Sequence, residues 1–471
     1  MSGPMPLEPG PGHGDAFAAR LATPEVTLAL RLSARAPDGT LALRVPRAAD
    51  DPVDVLAAEL ADRIGPAVHP YEVAAVLESE GLTGDQIKER YGHPDLFSLA
   101  ADLYGRVPRS FPQPPPGADP WAPDHVRCAL RGALFALPGL AYLLTGQLWH
   151  GERGVYALVA AGLLSWAWGQ ALSHRAYLRL TAGRREAGLT LLVGAPAGAV
   201  AAAAAGLAVA GPGPAALFAV GQSLYLAAAG VLLVCGKERI LLATLTPLVA
   251  GSAVLPWWDP GPALRIGLPS LTVLLAAVAA GHAVRVMVGA GAASGAGARP
   301  RLVESLPYGL FGLSAGVLVM LVGQRQPLAV IALTVSMGWA EWLLYRYRGL
   351  SVAALRAAAD ETGFRLRSAG ALAICLGGYL LPLVPAALLT GTEPGPLVAV
   401  AALLWTALLL QAFGVAWPPA AVALTAASGA AATAVLGRPP GTAALLVCSG
   451  TAAALLVVAV LRLLGRPTAH A

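Results

Sequence analysis

Long apolar runs follow one another along most of the chain, separated by short polar segments, and none occurs in the first part. Only segments that satisfy their own backbone hydrogen bonds can cross a bilayer, so each run predicts a transmembrane helix. The fold class is therefore all-α: a polytopic membrane protein with about 12 transmembrane helices. The runs lie near residues 129–149, 154–173, 187–210, 214–235, 239–257, 263–288, 303–323, 327–346, 368–389, 396–416, 418–436 and 441–464.

The residues before the first apolar run divide into three segments. Residues 1–50 are predicted to be disordered, with a weak β-hairpin from the alternating apolar positions around Pro37-Asp38-Gly39. Residues 51–106 have a helical pattern and predict a small cytoplasmic domain. Residues 107–126 form a Pro-rich linker, which predicts an extended spacer. Helices are expected over 53–64, 71–79, 84–90 and 95–106.

The small domain is acidic. Residues 51–105 contain eleven Asp or Glu and three Lys or Arg, a net charge of −8. Short helices joined by glycine-containing turns are also typical of DNA-binding domains, but this charge repels phosphate, so we predict no nucleic-acid partner. A cytoplasmic protein that binds residues 51–106 is the expected partner.

His69 and His93, each followed by proline, and Asp95 raise the question of a metal site. No spacing defines four ligands, so we predict no metal and no cofactor. The two His-Pro steps are instead expected to begin helices, with Asp95 capping or flanking a first turn.

Composition agrees with a membrane protein, since 56% of the residues are hydrophobic and 13% charged. The net charge of +5 follows from topology. With the amino end inside, cytoplasmic loops and the tail hold sixteen Lys or Arg and the outer loops hold four. The positive-inside rule then predicts both termini in the cytoplasm and an even number of spans. The expected location is the plasma membrane.

The two halves of the apolar region resemble each other, and we expect lobes at residues 127–298 and 299–471. The segment 165–175 aligns with 336–346, with identical Ser, Trp and Arg residues, and Gln170 stands opposite Glu341. Both halves also start alike, at 132–135 and 308–311, and a long basic loop is expected in each, at 175–185 and 346–367. Both halves begin on the same side of the membrane, which predicts a parallel repeat.

With these features the chain resembles the multidrug, oligosaccharidyl-lipid and polysaccharide exporter superfamily, in particular bacterial polysaccharide flippases. The resemblance covers residues 127–465. It implies that the first, second, seventh and eighth spans line a central cavity between the lobes. It further implies a transporter that moves an amphipathic substrate, such as a lipid-linked oligosaccharide or polysaccharide intermediate, by alternating access.

Glu341 is the main candidate for function, because a carboxylate deep in an apolar span must face protein or water rather than lipid. Tyr345 lies on the same helix face, and Gln170 and His174 form a similar pair. The predicted substrate-binding or proton-coupling residues are Glu341, Tyr345, Gln170, His174, Gln147 and Gln324, and Arg175 and Arg346 are predicted to contact lipid headgroups. In the alternative interpretation, Glu341 ties two helices together or pairs with a nearby Arg.

No enzyme is predicted. The sequence has no glycine-rich phosphate loop ending in Gly-Lys-Ser or Gly-Lys-Thr, and no His-Glu-x-x-His motif. The alternative to transport is a membrane scaffold whose acidic domain recruits a cytoplasmic partner. Transport requires a hydrated cavity that Glu341 reaches, whereas a scaffold would have a filled centre.

Overall fold

The computed structural model describes residues 51–108, 122–146, 151–291, 300–324, 326–358, 360–435, 442–466 and 469. These residues belong to two compact units, one within Gly10–Pro120 and the other within Trp121–Ala471. All the regular structure among the described residues is helical. The expected hairpin before residue 50 and most of the Pro-rich linker lie outside the described residues.

The small unit consists of five short helices around an apolar core. Val73, Leu77, Leu99 and Leu103 are almost completely buried in it, together with Ile64. The helices are α1 (Pro52–Glu59), α2 (Ala61–Ile64), α3 (Pro70–Ser79), α4 (Gly84–Tyr91) and α5 (Leu96–Arg106). The single helix expected over 53–64 is divided at Leu60 into α1 and α2, whereas the other three agree with the expected helices.

Side-chain caps explain where these helices begin. Thr83 caps α4 and Asp95 caps α5, and in both cases the side chain at the third helical position returns a bond to the cap backbone. His69 caps α3, since its Nδ1 accepts from the Tyr71 amide. Asp95 and His69 therefore act as helix caps, as the sequence indicated.

The membrane unit begins with α6 (His125–Ala136), which bends through a 3-10 turn at Leu137–Gly139 into α7 (Leu140–Thr145). The helices that follow are α8 (Glu152–Leu180), α9 (Arg184–Ala210), α10 (Pro214–Val234), α11 (Glu238–Thr244), α12 (Thr246–Ala253), α13 (Pro262–Val288), α14 (Leu302–Gly323), α15 (Pro327–Ala357), α16 (Glu361–Leu380), α17 (Leu383–Leu389), α18 (Pro394–Ala412), α19 (Trp417–Val435) and α20 (Thr442–Leu463).

Helices occupy all twelve predicted positions, and ten described spans are long and apolar enough to cross a membrane. The other two positions are the fifth and the eleventh. The fifth is divided into α11 and α12 just before Pro247, and α19 is a 19-residue helix that begins at Trp417-Pro418-Pro419. The chain is therefore an all-helical, multi-pass membrane protein.

The prediction of a long basic loop in each half is wrong. Helix α8 continues to Leu180 and α9 starts at Arg184, while α15 continues to Ala357 and α16 starts at Glu361. The basic residues interrupt the hydropathy pattern, but Arg is a good helix former, so the helices extend beyond the apolar core.

Two separate apolar cores define two lobes. The first is built from α6–α13 and contains Leu191, Leu232 and Leu241, whereas the second is built from α14–α20 and contains Phe311, Tyr347 and Trp405. The main contacts between the lobes join α6 to α15 and α8 to α14. Each lobe thus contributes its first two spans to the interface, as expected for a parallel repeat.

Candidate functional site

Helices α6 and α15 cross where both have glycine. A Cβ on Gly132 would lie 3.3 Å from the Cα of Gly338, and a Cβ on Gly338 would overlap the carbonyl oxygen of Cys128. The missing side chains let the two backbones touch, which is the usual way that membrane helices pack closely. The indole of Trp342 on α15 also donates to Nδ1 of His125 on α6, at 2.9 Å.

One turn from this crossing, four charged side chains form a cluster. Arg131 on α6 pairs with Glu341 on α15, and its Nη2 lies 3.1 Å from Oε1 of Glu238 at the start of α11. The same Glu238 oxygen accepts from Nε of Arg127 at 3.0 Å. Arg131, Glu341 and Glu238 are only 2%, 4% and 6% exposed. Two positive and two negative groups compensate each other, and the pair between Arg131 and Glu341 joins the two lobes.

The carboxylate of Glu341 points into this charged cluster. We expected its carboxylate to reach a hydrated gap, but it is buried against Arg131 and does not line the cavity described below. The structure instead matches the alternative in which Glu341 pairs with an Arg and ties two helices together. The physical reason is that an intramembrane carboxylate is stabilised best by an opposite charge. Tyr345, half-buried one turn further on, lies within electrostatic reach of Arg131.

Gln170 and His174 lie at the second contact between the lobes, between α8 and α14. Gln170 is 4% exposed, and its side chain packs against Gly312. A Cβ added to Gly312 would lie only 2.8 Å from Cγ of Gln170. The ring of His174 stacks on Tyr308 with centroids 3.8 Å apart, and its Nδ1 lies 3.1 Å from Oγ of Ser305. The predicted pair therefore does share one face, and that face contacts the other lobe.

Equivalent contacts in the two halves support the repeat. The indole of Trp168 donates to the carbonyl of Gly194 at 2.8 Å, and the indole of Trp339 donates to the carbonyl of Gly378 at 2.9 Å. Each bond joins the second span of a lobe to the third. The alignment that pairs these tryptophans also pairs Ala167 with Gly338, and both lie at lobe crossings. Among the described residues, the charged pair between Arg131 and Glu341 lies at the α6–α15 crossing, and no ion pair joins α8 to α14.

A cavity of about 160 Å³ lies between the lobes. Residues of the first, second, seventh and eighth spans line it, as the family resemblance implied, together with residues of the fourth, fifth, ninth and tenth. Its described lining is mostly apolar and contains no charged side chain. The polar or aromatic lining residues are Phe135, Ser165, Trp166, Ser173, Tyr225, Thr334, Tyr379 and Trp405.

The remaining predicted residues are scattered. Gln324 is exposed at the end of α14, and Gln147 lies outside the described residues. Arg175 donates to the carbonyl of Pro300 at 3.1 Å, and Arg346 is exposed on α15. None of the six predicted substrate or proton residues is among the described cavity-lining residues, and their roles stay predictions.

The sequence interpretation missed Arg131 and Glu238. Arg131 lies inside the first predicted span, and a charged residue there requires a partner, so it was a detectable signal. The cavity residues Ser165, Trp166 and Tyr225 had no such signal, because Ser, Trp and Tyr are ordinary residues in apolar helices. Among the described residues, no group of three His, Cys, Asp or Glu side chains is placed to hold a metal ion.

Comparisons with known proteins give one similarity. No protein-family model matches the chain, and no curated protein matches it. A solved structure described as a crystal structure of MATE in the bent conformation is similar over 72% of this chain and 96% of that chain. The sequence identity is 12% and the TM-score is 0.40.

Proposed function

We propose that the protein is a membrane transporter that moves an amphipathic substrate through the space between its lobes. The observation that carries the proposal is the cavity of about 160 Å³ lined by spans of both lobes. When two lobes with separate cores tilt against each other, the cavity between them can open to one side of the membrane or to the other. A cavity inside a single core does not open in this way.

The interface has the properties that such tilting requires. At the α6–α15 crossing the backbones meet at Gly132 and Gly338, so no side chain at these two positions opposes a change of angle. The buried pair between Arg131 and Glu341 is the main polar tie across the α6–α15 contact, and Arg131 keeps Glu238 as a partner if the lobes separate.

As the finer hypothesis, the substrate is a lipid-linked oligosaccharide or polysaccharide intermediate, whose lipid stays in the bilayer while its head crosses the cavity. The distribution of basic residues supports an orientation with both termini in the cytoplasm. The proposed location is the plasma membrane. We also propose that a cytoplasmic protein binds the acidic unit at 51–106.

A cavity-filling variant tests transport. Gly169 on α8 lines the cavity, and a Cβ there meets no atom within 4 Å, so leucine is expected to enter the open space without displacing its surroundings. We expect Gly169→Leu to reduce substrate flux in proteoliposomes at least tenfold. Flux of fluorescent lipid-linked oligosaccharide across the vesicle membrane is the measurement.

Gly281 on α13 provides the matched control. It is also helical and open, but it is exposed on the outside of the lobe and does not line the cavity. Gly281→Leu brings the same gain in helix propensity of about 1 kcal/mol and the same added volume. Native flux in Gly281→Leu with lost flux in Gly169→Leu supports transport through the cavity. Equal, undiminished flux in both variants contradicts it.

The scaffold alternative rests on the acidic unit. Arg63 and Arg106 are already paired with carboxylates of that unit, which leaves most of its acidic groups available for a partner. A scaffold does not depend on an open centre, so Gly169→Leu would then leave the cellular phenotype intact while charge-neutralising changes in 51–106 would abolish it.

A further inference from the structure

The acidic unit at 51–106 carries a cluster of large apolar side chains on its surface. Val68, Tyr71 and Phe97 are 68%, 68% and 59% exposed, and we call these three the apolar patch. The ring of Tyr71 on α3 meets the ring of Phe97 on α5 edge to face, with centroids 5.8 Å apart. Apolar residues scattered singly over a surface are ordinary, whereas a cluster of them marks a contact surface.

Hydrogen bonds hold the apolar patch in one geometry. The amide of Val68 donates to Oε2 of Glu72 at 3.0 Å, and the carbonyl of Val68 accepts from the hydroxyl of Tyr104 at 2.7 Å. Helices α3 and α5, which carry the two rings, pack against each other and share one apolar core. A surface that is already ordered loses little conformational entropy when a partner binds.

Carboxylates border the apolar patch. Glu72 follows Tyr71 directly, and Asp95 precedes Phe97 by two residues at the start of α5. Glu78 lies two turns from Tyr71 on the same face of α3. All three carboxylates are exposed, and none of them forms an ion pair within the part of the chain that the structure describes. The patch is therefore an apolar surface with a negative edge.

The charge of the unit limits what covers the patch. Residues 51–105 have a net charge of −8, which repels a second copy of the same unit, an anionic lipid surface and a nucleic acid. An uncharged apolar segment would cover the rings but leave the carboxylates at the edge without a counter-charge.

A segment with both apolar and basic side chains satisfies both parts of the surface. Its apolar side chains cover Val68 and the two rings, and its Lys or Arg side chains face the carboxylates. The exposed faces of Tyr71 and Phe97 attract cations as well, so a basic side chain beside them gains from the rings and from the carboxylates.

From these observations we propose that the apolar patch docks an amphipathic segment of a cytoplasmic protein, with aliphatic side chains against Val68, Tyr71 and Phe97 and basic side chains against the bordering carboxylates. The inference rests on the proposed partner of the acidic unit, and it specifies the surface and the chemistry of that contact. It does not depend on transport.

The test measures binding of labelled synthetic peptides to the full chain in phosphatidylcholine nanodiscs by fluorescence anisotropy. The probe is a short helical peptide with leucines on one face and arginines on the other, and empty nanodiscs subtract its binding to lipid. A second peptide has glutamate at every arginine, and a third has serine at every leucine. We expect saturable binding of the leucine-arginine peptide and affinities about tenfold lower, or less, for the other two.

Two results with these peptides overturn the inference. If the leucine-arginine peptide does not bind saturably, the patch is no docking site for such a segment. If the peptide without leucines binds equally well, charge alone attracts the peptides and the apolar patch has no part in binding.

Variants of the full chain locate the site. Phe97→Ser and Tyr71→Ser are each expected to lower the affinity for the leucine-arginine peptide about tenfold, because truncating a ring at the centre of a contact removes much of its binding energy. Val55→Ser is the matched control, since Val55 on α1 is also exposed, at 50%, and lies outside the patch, so its affinity should stay native. Equal affinities in all three variants contradict the proposal. Hydrogen exchange of residues 51–108 shows that each variant is folded.

A charge variant that keeps the local structure gives an independent result. Glu72→Gln retains an acceptor for the Val68 amide and removes only the charge. We expect it to lower the peptide affinity about two- to fivefold, as for one exposed ion pair. Glu89→Gln, at an exposed position of α4, removes the same charge from another helix and should have a smaller effect. Equal effects of the two changes would mean that the peptide responds only to total charge.

A cellular comparison separates this inference from the proposed partner. If charge-neutralising changes elsewhere in 51–106 abolish the phenotype while Phe97→Ser and Tyr71→Ser leave it intact, the docking surface proposed here is wrong and the partner stands. Transport is tested separately by Gly169→Leu, which does not alter the patch.

Discussion

Removing Arg131 is the most informative perturbation of the interface between the lobes. The variant Arg131→Met leaves Glu341 buried without the partner it has in the native protein, while Glu238 keeps Arg127. Breaking a buried pair from one side typically costs about 3–5 kcal/mol, because the other charge remains in a low-dielectric site. We therefore expect Arg131→Met to lower the free energy of unfolding by about that amount.

We expect a smaller decrease in the free energy of unfolding when Glu341, rather than Arg131, is replaced. In Glu341→Gln, the guanidinium of Arg131 is still compensated by Glu238, and glutamine keeps a hydrogen-bond acceptor in place. The expected cost is about 1–3 kcal/mol, the usual cost of weakening one charge-assisted hydrogen bond. The double variant Arg131→Met/Glu341→Met removes the stranded charge and should recover most of the loss, since apolar replacements of buried pairs are often neutral.

Reversible unfolding in mixed SDS and detergent micelles, followed by tryptophan fluorescence, measures these differences. Arg365→Met is the control, because its pair with Glu361 is exposed, with 59% and 57% of the two side chains accessible, and should contribute about 0–1 kcal/mol. The reasoning is refuted if Arg131→Met costs no more than Glu341→Gln, or if the double variant costs the sum of the two single changes.

Three further outcomes are expected. The Arg106 guanidinium holds the pKa of Asp102 below the ordinary value of 3.8, so this contribution to the stability of the small unit is full above that pH and is lost as the pH falls through the lowered pKa. Hydrogen exchange of residues 51–108 should show that Arg106→Gln unfolds at a higher pH than the native unit, and an unchanged midpoint would disprove this link. Gly338→Leu should separate α6 from α15 and lower the Tm by several degrees, measured by scanning fluorimetry, whereas a native Tm would mean that the crossing is not tight. Trp168→Phe and Trp339→Phe should each cost about 0.5–1.5 kcal/mol in the SDS assay, and a large difference between them would contradict the equivalence of the two bonds.

The sequence contained enough local information to predict most of the helices. Hydropathy identified the positions of the spans, and side chains at helix starts located the small unit's helices to within about two residues, as with Asp95 and α5. The repeat was also detectable, because Trp168 and Trp339 occupy matching positions in spans that matched in order. The basic segments at 175–185 and 346–367 were wrongly expected to be loops, because charged residues interrupt the apolar pattern without ending the helix.

What the sequence determined by itself was therefore the class of protein, its helices and their order in two halves. Only the tertiary structure decided which polar groups meet. Glu341 pairs with a residue 210 positions away, and Arg131 contacts a carboxylate 107 positions further along the chain. The cavity likewise takes its lining from eight spans. Hydropathy and capping act within a few residues, whereas a buried charge is explained only by the distant segment that packs against it.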